Sequence, residues 1–263
     1  MSSSTALRKQ IESDFQHRYP SVLTPRARGI QEVSATGIVQ IDEILDGGLP
    51  VGAISEITGS ATSGRTTIAL AFLARRTQDG SSCAWIDAND NLDPESAAAN
   101  GVSLKHLLWV RCRNAPIVKP SPVIRRTSKD STPWTRLDQA IRATDLLLQA
   151  GGFAAIVLDL ADEAIEYGRR IPLATWFRFR QTADRTRCSL IVLGKKAYAQ
   201  SSAAVVLECH PDRIDIATGT VIRGFNFSAQ RGRQRFSQLS NIARKPPVST
   251  WSSQALWSFE KRA

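Results

Sequence analysis

The stretch Gly59-Ser60-Ala61-Thr62-Ser63-Gly64-Arg65-Thr66-Thr67 has the glycine spacing of a phosphate-binding loop, with arginine where such loops carry lysine. Two glycines let consecutive backbone N–H groups turn toward one anion at a helix N-terminus, and the Thr66 hydroxyl offers a ligand to magnesium. The flanks supply the context this chemistry needs. Before the loop, Ala53-Ile54-Ser55-Glu56-Ile57-Thr58 alternates like a strand; after it, Ile68, Phe72 and Leu73 fall at helical spacing, with Arg75 and Arg76 in the last turn and Gly80 as a stop. Gly59, Ser63, Gly64, Arg65, Thr66 and Thr67 are therefore the candidate nucleotide-binding residues. The plain alternative is an ordinary glycine-rich turn.

A second carboxylate-bearing strand follows. Phe153-Ala154-Ala155-Ile156-Val157-Leu158-Asp159 is an unbroken apolar run ending in an acid. In phosphate-loop nucleotidases that position holds magnesium through water, so Thr66 and Asp159 form the candidate metal set. A strand-terminal Asp also serves as a helix N-cap, and that alternative stands.

These residues need a sheet to position them. The short apolar runs Ser82–Asp87, Leu107–Val110, Phe153–Asp159 and Ser189–Leu193 alternate with helical patterns over Pro94–Asn100, Trp134–Gln149 and Leu173–Arg187, the signature of an α/β fold with a mostly parallel central sheet flanked by helices. Ala203–Glu208 and Arg213–Ala217 read as closing strands. The chain has 263 residues, enough for one α/β domain with appendages. We expect a helix and linker over 1–29, a core over 30–235 containing an exposed basic, proline-bearing loop over 111–133, and a flexible aromatic tail over 236–263. Cys83, Cys112, Cys188 and Cys209 are scattered without metal-ligand or disulfide spacing. No 18-residue apolar span or signal-peptide pattern is present, so a soluble, cytoplasmic protein is expected, with no membrane partner. A net charge of +10 favours a polyanionic partner.

Over about residues 5–235 the chain resembles the bacterial RecA recombinases. The matching stretches are Ile11-Glu12-Ser13-Asp14-Phe15, Gly47-Gly48-Leu49-Pro50-Val51-Gly52, the Gly59 loop, Trp85-Ile86-Asp87-Ala88-Asn89-Asp90-Asn91-Leu92-Asp93-Pro94, and Ile156-Val157-Leu158-Asp159. The resemblance implies a RecA-like core, ATP and Mg2+ as cofactors, Asp93 near the adenine amino group, and single-stranded DNA as a partner. The departures are informative. Lysine is replaced by Arg65, the catalytic glutamate by Asn89, the adenine-stacking tyrosine by Ser96, and the γ-phosphate-sensing glutamine by Lys195. Asparagine cannot accept a proton, so no catalytic residue is assigned, and weak DNA-dependent ATPase activity is the most the site is expected to support. The segments that carry DNA-binding loops in RecA are short here, Leu160–Arg170 and Lys196–Ala203.

With the basic Arg169-Arg170…Leu173…Arg178…Arg180 helix, this pattern of loss is similar to the ImuA-type accessory proteins of damage-induced (SOS) translesion synthesis, which work with polymerase-type partners. The resemblance therefore implies a DNA repair adaptor with a degenerate ATP site. The alternatives are an ATP-dependent recombinase and a RecA-fold cell-division inhibitor that binds protein. Candidate DNA contacts are Lys195, Lys196, Arg231, Arg233 and Arg235. Leu7, Ile11 and Phe15, four apart on a charged helix, are expected to dock on a second copy or a partner. Trp257 and Phe259, within Gln254-Ala255-Leu256-Trp257-Ser258-Phe259, loosely resemble a sliding-clamp peptide.

Overall fold

The computed structural model describes residues 32–113, 135–216, 222–234 and 247–254, with the side chains of Arg223, Arg233, Gln234 and Gln254 outside that description. The chain divides into two compact units, Met1–Gln31 and Glu32–Ala263, and the described residues belong to the second. Leu7, Ile11, Phe15, Arg235, Trp257 and Phe259 therefore lie outside them.

A small ladder, β1 (Val33–Ser34) with β2 (Leu49–Pro50), frames α1 (Val39–Ile44). The main sheet has eight strands. These are β3 (Ile54–Gly59), β4 (Cys83–Asp87), β5 (Leu107–Arg111), β6 (Ala155–Asp159), β7 (Ser189–Gly194), β8 (Ala203–Ile216), β9 (Ile222–Gln234) and β10 (Val248–Gln254), in the order β10-β9-β8-β3-β7-β6-β4-β5. From β8 to β5 every pairing is parallel, and β9 and β10 add antiparallel strands at one edge.

Side-chain alternation feeds two cores. Trp85, Val157, Ile191 and Leu193 face α2 (Arg65–Gln78), α1 and α3 (Pro94–Ala99). Ile86, Ile156, Leu158, Leu190 and Val192 face α4 (Arg136–Ala150) and α6 (Leu173–Thr186). A short helix, α5 (Ile165–Arg170), links β6 to α6. Both faces of the parallel strands are thus buried, which is why β4, β6 and β7 read as unbroken apolar runs. The four cysteines are buried free thiols. No helix among the described residues is long and apolar enough to cross a membrane.

Three expectations change. The strands expected over 203–208 and 213–217 are one strand, β8, bent by register shifts near Pro211 and paired along its length with β9. Arg111 to Arg113, placed at the start of an exposed loop, are instead ordered: Arg111 ends β5 and the Cys112 N–H donates to Asp87 O at 3.0 Å. The rest of that loop lies outside the described residues. Finally, the span read as a flexible tail contains β10, paired from Val248↔Gln230 to Gln254↔Gly224. Trp251 on this strand is 5% exposed and packs on Phe227, ring centroids 5.3 Å apart.

Truncating so large a buried side chain costs about 3–5 kcal/mol. Trp251→Ala should lower the urea midpoint accordingly, and Trp251→Phe by less. An unchanged midpoint would show that β10 adds nothing to the core.

Candidate nucleotide-binding site

The loop after β3 is shaped by two glycines with different constraints. Gly64, the N-cap of α2, has φ +82, a conformation that favours glycine. A Cβ there would also lie 2.8 Å from the Trp251 ring and 2.9 Å from that of Phe227. At Gly59 the limit is space alone, since a Cβ would sit 2.3 Å from Ser63 Oγ and 2.5 Å from Cys209 O. Ser63 Oγ is buried with no hydrogen-bond partner among the described residues. Thr66 is exposed on the first turn of α2.

Arg65 does not reach outward. The residue is 6% exposed, and its guanidinium donates to Gly59 O at the end of β3 and to Ala161 O, 3.4 Å away, just beyond β6. Its Nη2 also lies 3.7 Å from the carboxylate of Asp162. Asp162 accepts a hydrogen bond from Asn91 Nδ2 at 2.5 Å, and its backbone oxygen meets Lys195 Nζ at 3.5 Å. A buried cation must be compensated, and here backbone carbonyls and a carboxylate of the fold compensate it.

A cavity of about 280 Å³ beside this contact is lined by Arg65, Thr66, Trp85, Asp93, Ser96 and Asp159, among others. It brings together the candidate magnesium residues Thr66 and Asp159 with the candidate nucleotide-binding residue Asp93. A second hollow, about 210 Å³, lies against Thr62–Thr67 and is walled by Phe225 and Phe227, stacked with centroids 6.3 Å apart. Sequence reasoning missed both phenylalanines, whose i, i+2 spacing on a strand was the available signal. It also missed Asp162, which no local pattern marks.

The acids around the cavity are committed to structure. Asp87 accepts from the N–H groups of Asn89, Asn91 and Leu92 at 3.2, 3.0 and 2.8 Å, and from Trp109 Nε1 at 3.3 Å. Asp90 is held by a two-point contact with Arg111 at 2.5 and 2.6 Å, and that hydrogen-bonded guanidinium keeps its pKa below the usual carboxylate value. Asp93 caps α3, accepting from Ser96 Oγ, Ser96 N and Glu95 N, contacts that lower its pKa. Asn89 has a buried Nδ2 with no partner among the described residues. Asp159 differs. It is 5% exposed, accepts from Ala161 N at 2.9 Å, and burial pushes its pKa up to about 6.

The site fits magnesium and phosphate in residue type. The orphaned Ser63 hydroxyl, the Thr66 hydroxyl and Asp159 are the groups such ligands use. Asn89 has no group that accepts a proton, and Asp87 and Asp90 are engaged by the contacts described above.

Of the candidate DNA contacts, Lys195 and Lys196 lie past the end of β7 and line a hollow of about 440 Å³ with Gly59, Ser60, Glu208 and His210. Glu56 fixes the following turn, accepting from Tyr198 N at 2.5 Å and Ala199 N at 2.9 Å. The Arg231 side chain is 15% exposed and pairs with Asp46 at 3.0 Å, joining β9 to the loop after α1. For Arg233 only the backbone, in β9, is described.

The raised pKa of Asp159 has a definite sign. Its protonated form is favoured in the fold, so the stability it contributes is full below pH 3.8, its ordinary value, and is lost as pH rises through about 6. Asp159→Asn, which never ionises, should therefore be more stable than wild type at pH 8, on the order of 2–3 kcal/mol. By pH 5 that advantage should shrink by about 1–2 kcal/mol. Urea unfolding at both pH values measures it, and a pH-independent difference would contradict the assignment.

Residues 3–115 match the RecA N-terminal domain family. RecA of Streptococcus mutans is 43% identical over 101 residues, covering 38% of this chain and 26% of that protein. RecA of Ruegeria pomeroyi is 28% identical over 179 residues, 62% of this chain and 45% of its own length. RecA of Deinococcus radiodurans is 33% identical over 151 residues, 57% and 36% respectively. The matches thus span between about a quarter and a half of the length of these relatives. The crystal structure of the RadB recombinase superposes with a TM-score of 0.54 at 16% identity, covering 82% of this chain and 94% of that one, which establishes a common fold. The chain is thus similar to the RecA N-terminal domain family over residues 3–115 and shares its fold with the RadB recombinase structure.

Proposed function

We propose that this protein is a non-hydrolysing, RecA-like DNA repair accessory factor, an ImuA-type adaptor in damage-induced translesion synthesis that binds single-stranded DNA and a polymerase-type protein. The observation that carries this reading is the arrangement around Arg65. The phosphate loop is built, yet its cation is bonded to Gly59 O and Ala161 O, and the position of the catalytic glutamate holds Asn89. In such a site Ser63 would hold a phosphate, and Thr66 and Asp159 the magnesium. The ion supplies neutralisation of phosphate charge. The chain's own residues then bind and orient, and none takes a proton from water.

DNA binding is supported by the net charge of +10 and by Lys195 and Lys196 beside Gly59 and Ser60, at the carboxyl ends of parallel strands. Self-association or partner docking through Leu7, Ile11 and Phe15, and clamp binding through Trp257 and Phe259, belong to the same proposal. The retained loop counts against a protein-binding division inhibitor.

ATP turnover by the purified chain with single-stranded DNA should be near background, since loss of a general base costs ~10²–10⁴-fold. Arg65→Lys should tighten nucleotide binding about tenfold, the worth of one charge-assisted contact, without restoring turnover. A DNA-stimulated rate of recombinase size, abolished by Asp159→Ala, would establish the recombinase reading instead.

A further inference from the structure

The face formed by α4, α5 and α6 has no role in the nucleotide site, and α6 is apolar on two sides. Trp176, Phe179 and Ala183 are buried in the core, while Leu173 and Phe177, one turn apart, are 54% and 51% exposed. A helix lying on a sheet ordinarily carries a single inward stripe, so a second outward one marks a surface that another element covers. Beside it runs a groove of about 580 Å³, walled by Leu137 and Ile141 of α4 and by Tyr167, Ile171 and Pro172 at α5 and after it. Tyr167 is 50% exposed, and Leu173 follows directly on Pro172, which lines the groove.

Charge says what fits there. Residues 165–186 hold Arg169, Arg170, Arg178, Arg180 and Arg185 against Glu166 and Asp184. The acids on the α4 side are already engaged: Asp145 with Arg178 at 3.0 Å, and Asp138 in the capping box of Thr135. Arg170 lies over the Tyr167 ring at 5.3 Å, which holds an aromatic and a cation together at the groove's edge. A face that combines the exposed Tyr167, Leu173 and Phe177 with an arginine rim is the complement of a helix with an apolar stripe flanked by carboxylates.

We infer that this face docks an acidic amphipathic helix of a protein partner, with its apolar residues against Tyr167, Leu173 and Phe177 and its carboxylates toward Arg169, Arg170 and Arg180. The inference deepens the adaptor reading and rests on it for the existence of a protein partner. A second copy of this chain brings its own +10 charge to the same rim. A nucleic acid answers the arginines but leaves Leu173 and Phe177 facing a charged backbone.

The test places a photoreactive benzoylphenylalanine at position 177 of the full chain, irradiates cells after DNA damage, and sequences the crosslinked peptide. The expected product is a segment of another protein with net negative charge and apolar residues at helical spacing. Its synthetic counterpart should bind the purified full chain, lose at least tenfold in affinity on Phe177→Glu or on Arg169→Glu with Arg170→Glu, and weaken as salt rises. Thermal melts of these surface variants should match wild type. A crosslink to this chain itself or to nucleic acid, the absence of any crosslink, or peptide affinity indifferent to the substitutions would each overturn the inference. Retention of a polymerase-type partner by the Phe177→Glu chain would overturn this docking site while leaving the adaptor reading standing, whereas a recombinase-sized ATP turnover would remove the adaptor reading.

Discussion

A guanidinium buried to 6% exposure cannot be left uncompensated, and the way Arg65 is compensated governs the rest of the nucleotide corner. Its contacts join Gly59, at the end of β3, to Ala161 and Asp162, just past β6. In the sheet those strands are not neighbours, because β7 lies between them. The side chain therefore braces carboxyl ends of the parallel strands across an intervening strand. An anion arriving at the loop must compete with that brace. Turning the guanidinium toward a phosphate would leave the Gly59 and Ala161 carbonyls without their partner, and the cost of such orphaned groups is comparable to the gain from a new charge-assisted contact. Lysine has a compact ammonium with no planar fork, so it has less hold on two separated carbonyls at once. The substitution thus changes what the loop is bound to as well as how strongly it attracts.

The loop is also held from the other side. Gly64 lies under Phe227 and Trp251, so aromatic side chains from β9 and β10 press on the turn that opens α2. The antiparallel strands at the sheet's edge are in this way part of the phosphate loop's support. Phe225, stacked on Phe227, faces the hollow beside Thr66 and Thr67, which places an aromatic surface near the loop although Ser96 removes the one expected on α3.

Much of this was legible in the sequence where one physical effect dominates. β4, β6 and β7 are buried on both faces and so read as plain apolar runs, and Gly59 and Gly64 announce a turn that no larger residue fits. β10 was not legible because its inward positions are Ser249, Trp251 and Ser253. A lone tryptophan between serines gives no apolar alternation, and the strand is held by a backbone ladder that sequence does not display. The direction of Arg65 was illegible for a similar reason, since beside the nearby Gly59 its partners, Ala161 and Asp162, lie 96 residues away and beyond. Arg231 looked like part of a basic cluster with Arg233 and Arg235, but its partner, Asp46, is 185 residues distant.

The acid-rich turn after β4 shows why residue type alone overstates chemistry. Asp87, Asp90 and Asp93 sit where a nucleotide site would draw on carboxylates, yet each is occupied: the first by the N–H groups of its own turn, the second by Arg111, the third by the start of α3. The contacts to Asp90 and Asp93 favour their anionic forms and make them poor bases, and those to Asp87 build the turn. Asp159 is the opposite case, buried and with a pKa of about 6. Its charge is costly until a cation arrives, which suits a metal ligand better than a base. Thr66 and Asp159 share one cavity while Asp90 and Asp93 are engaged in the turn, and that division is what supports the proposed binding without hydrolysis.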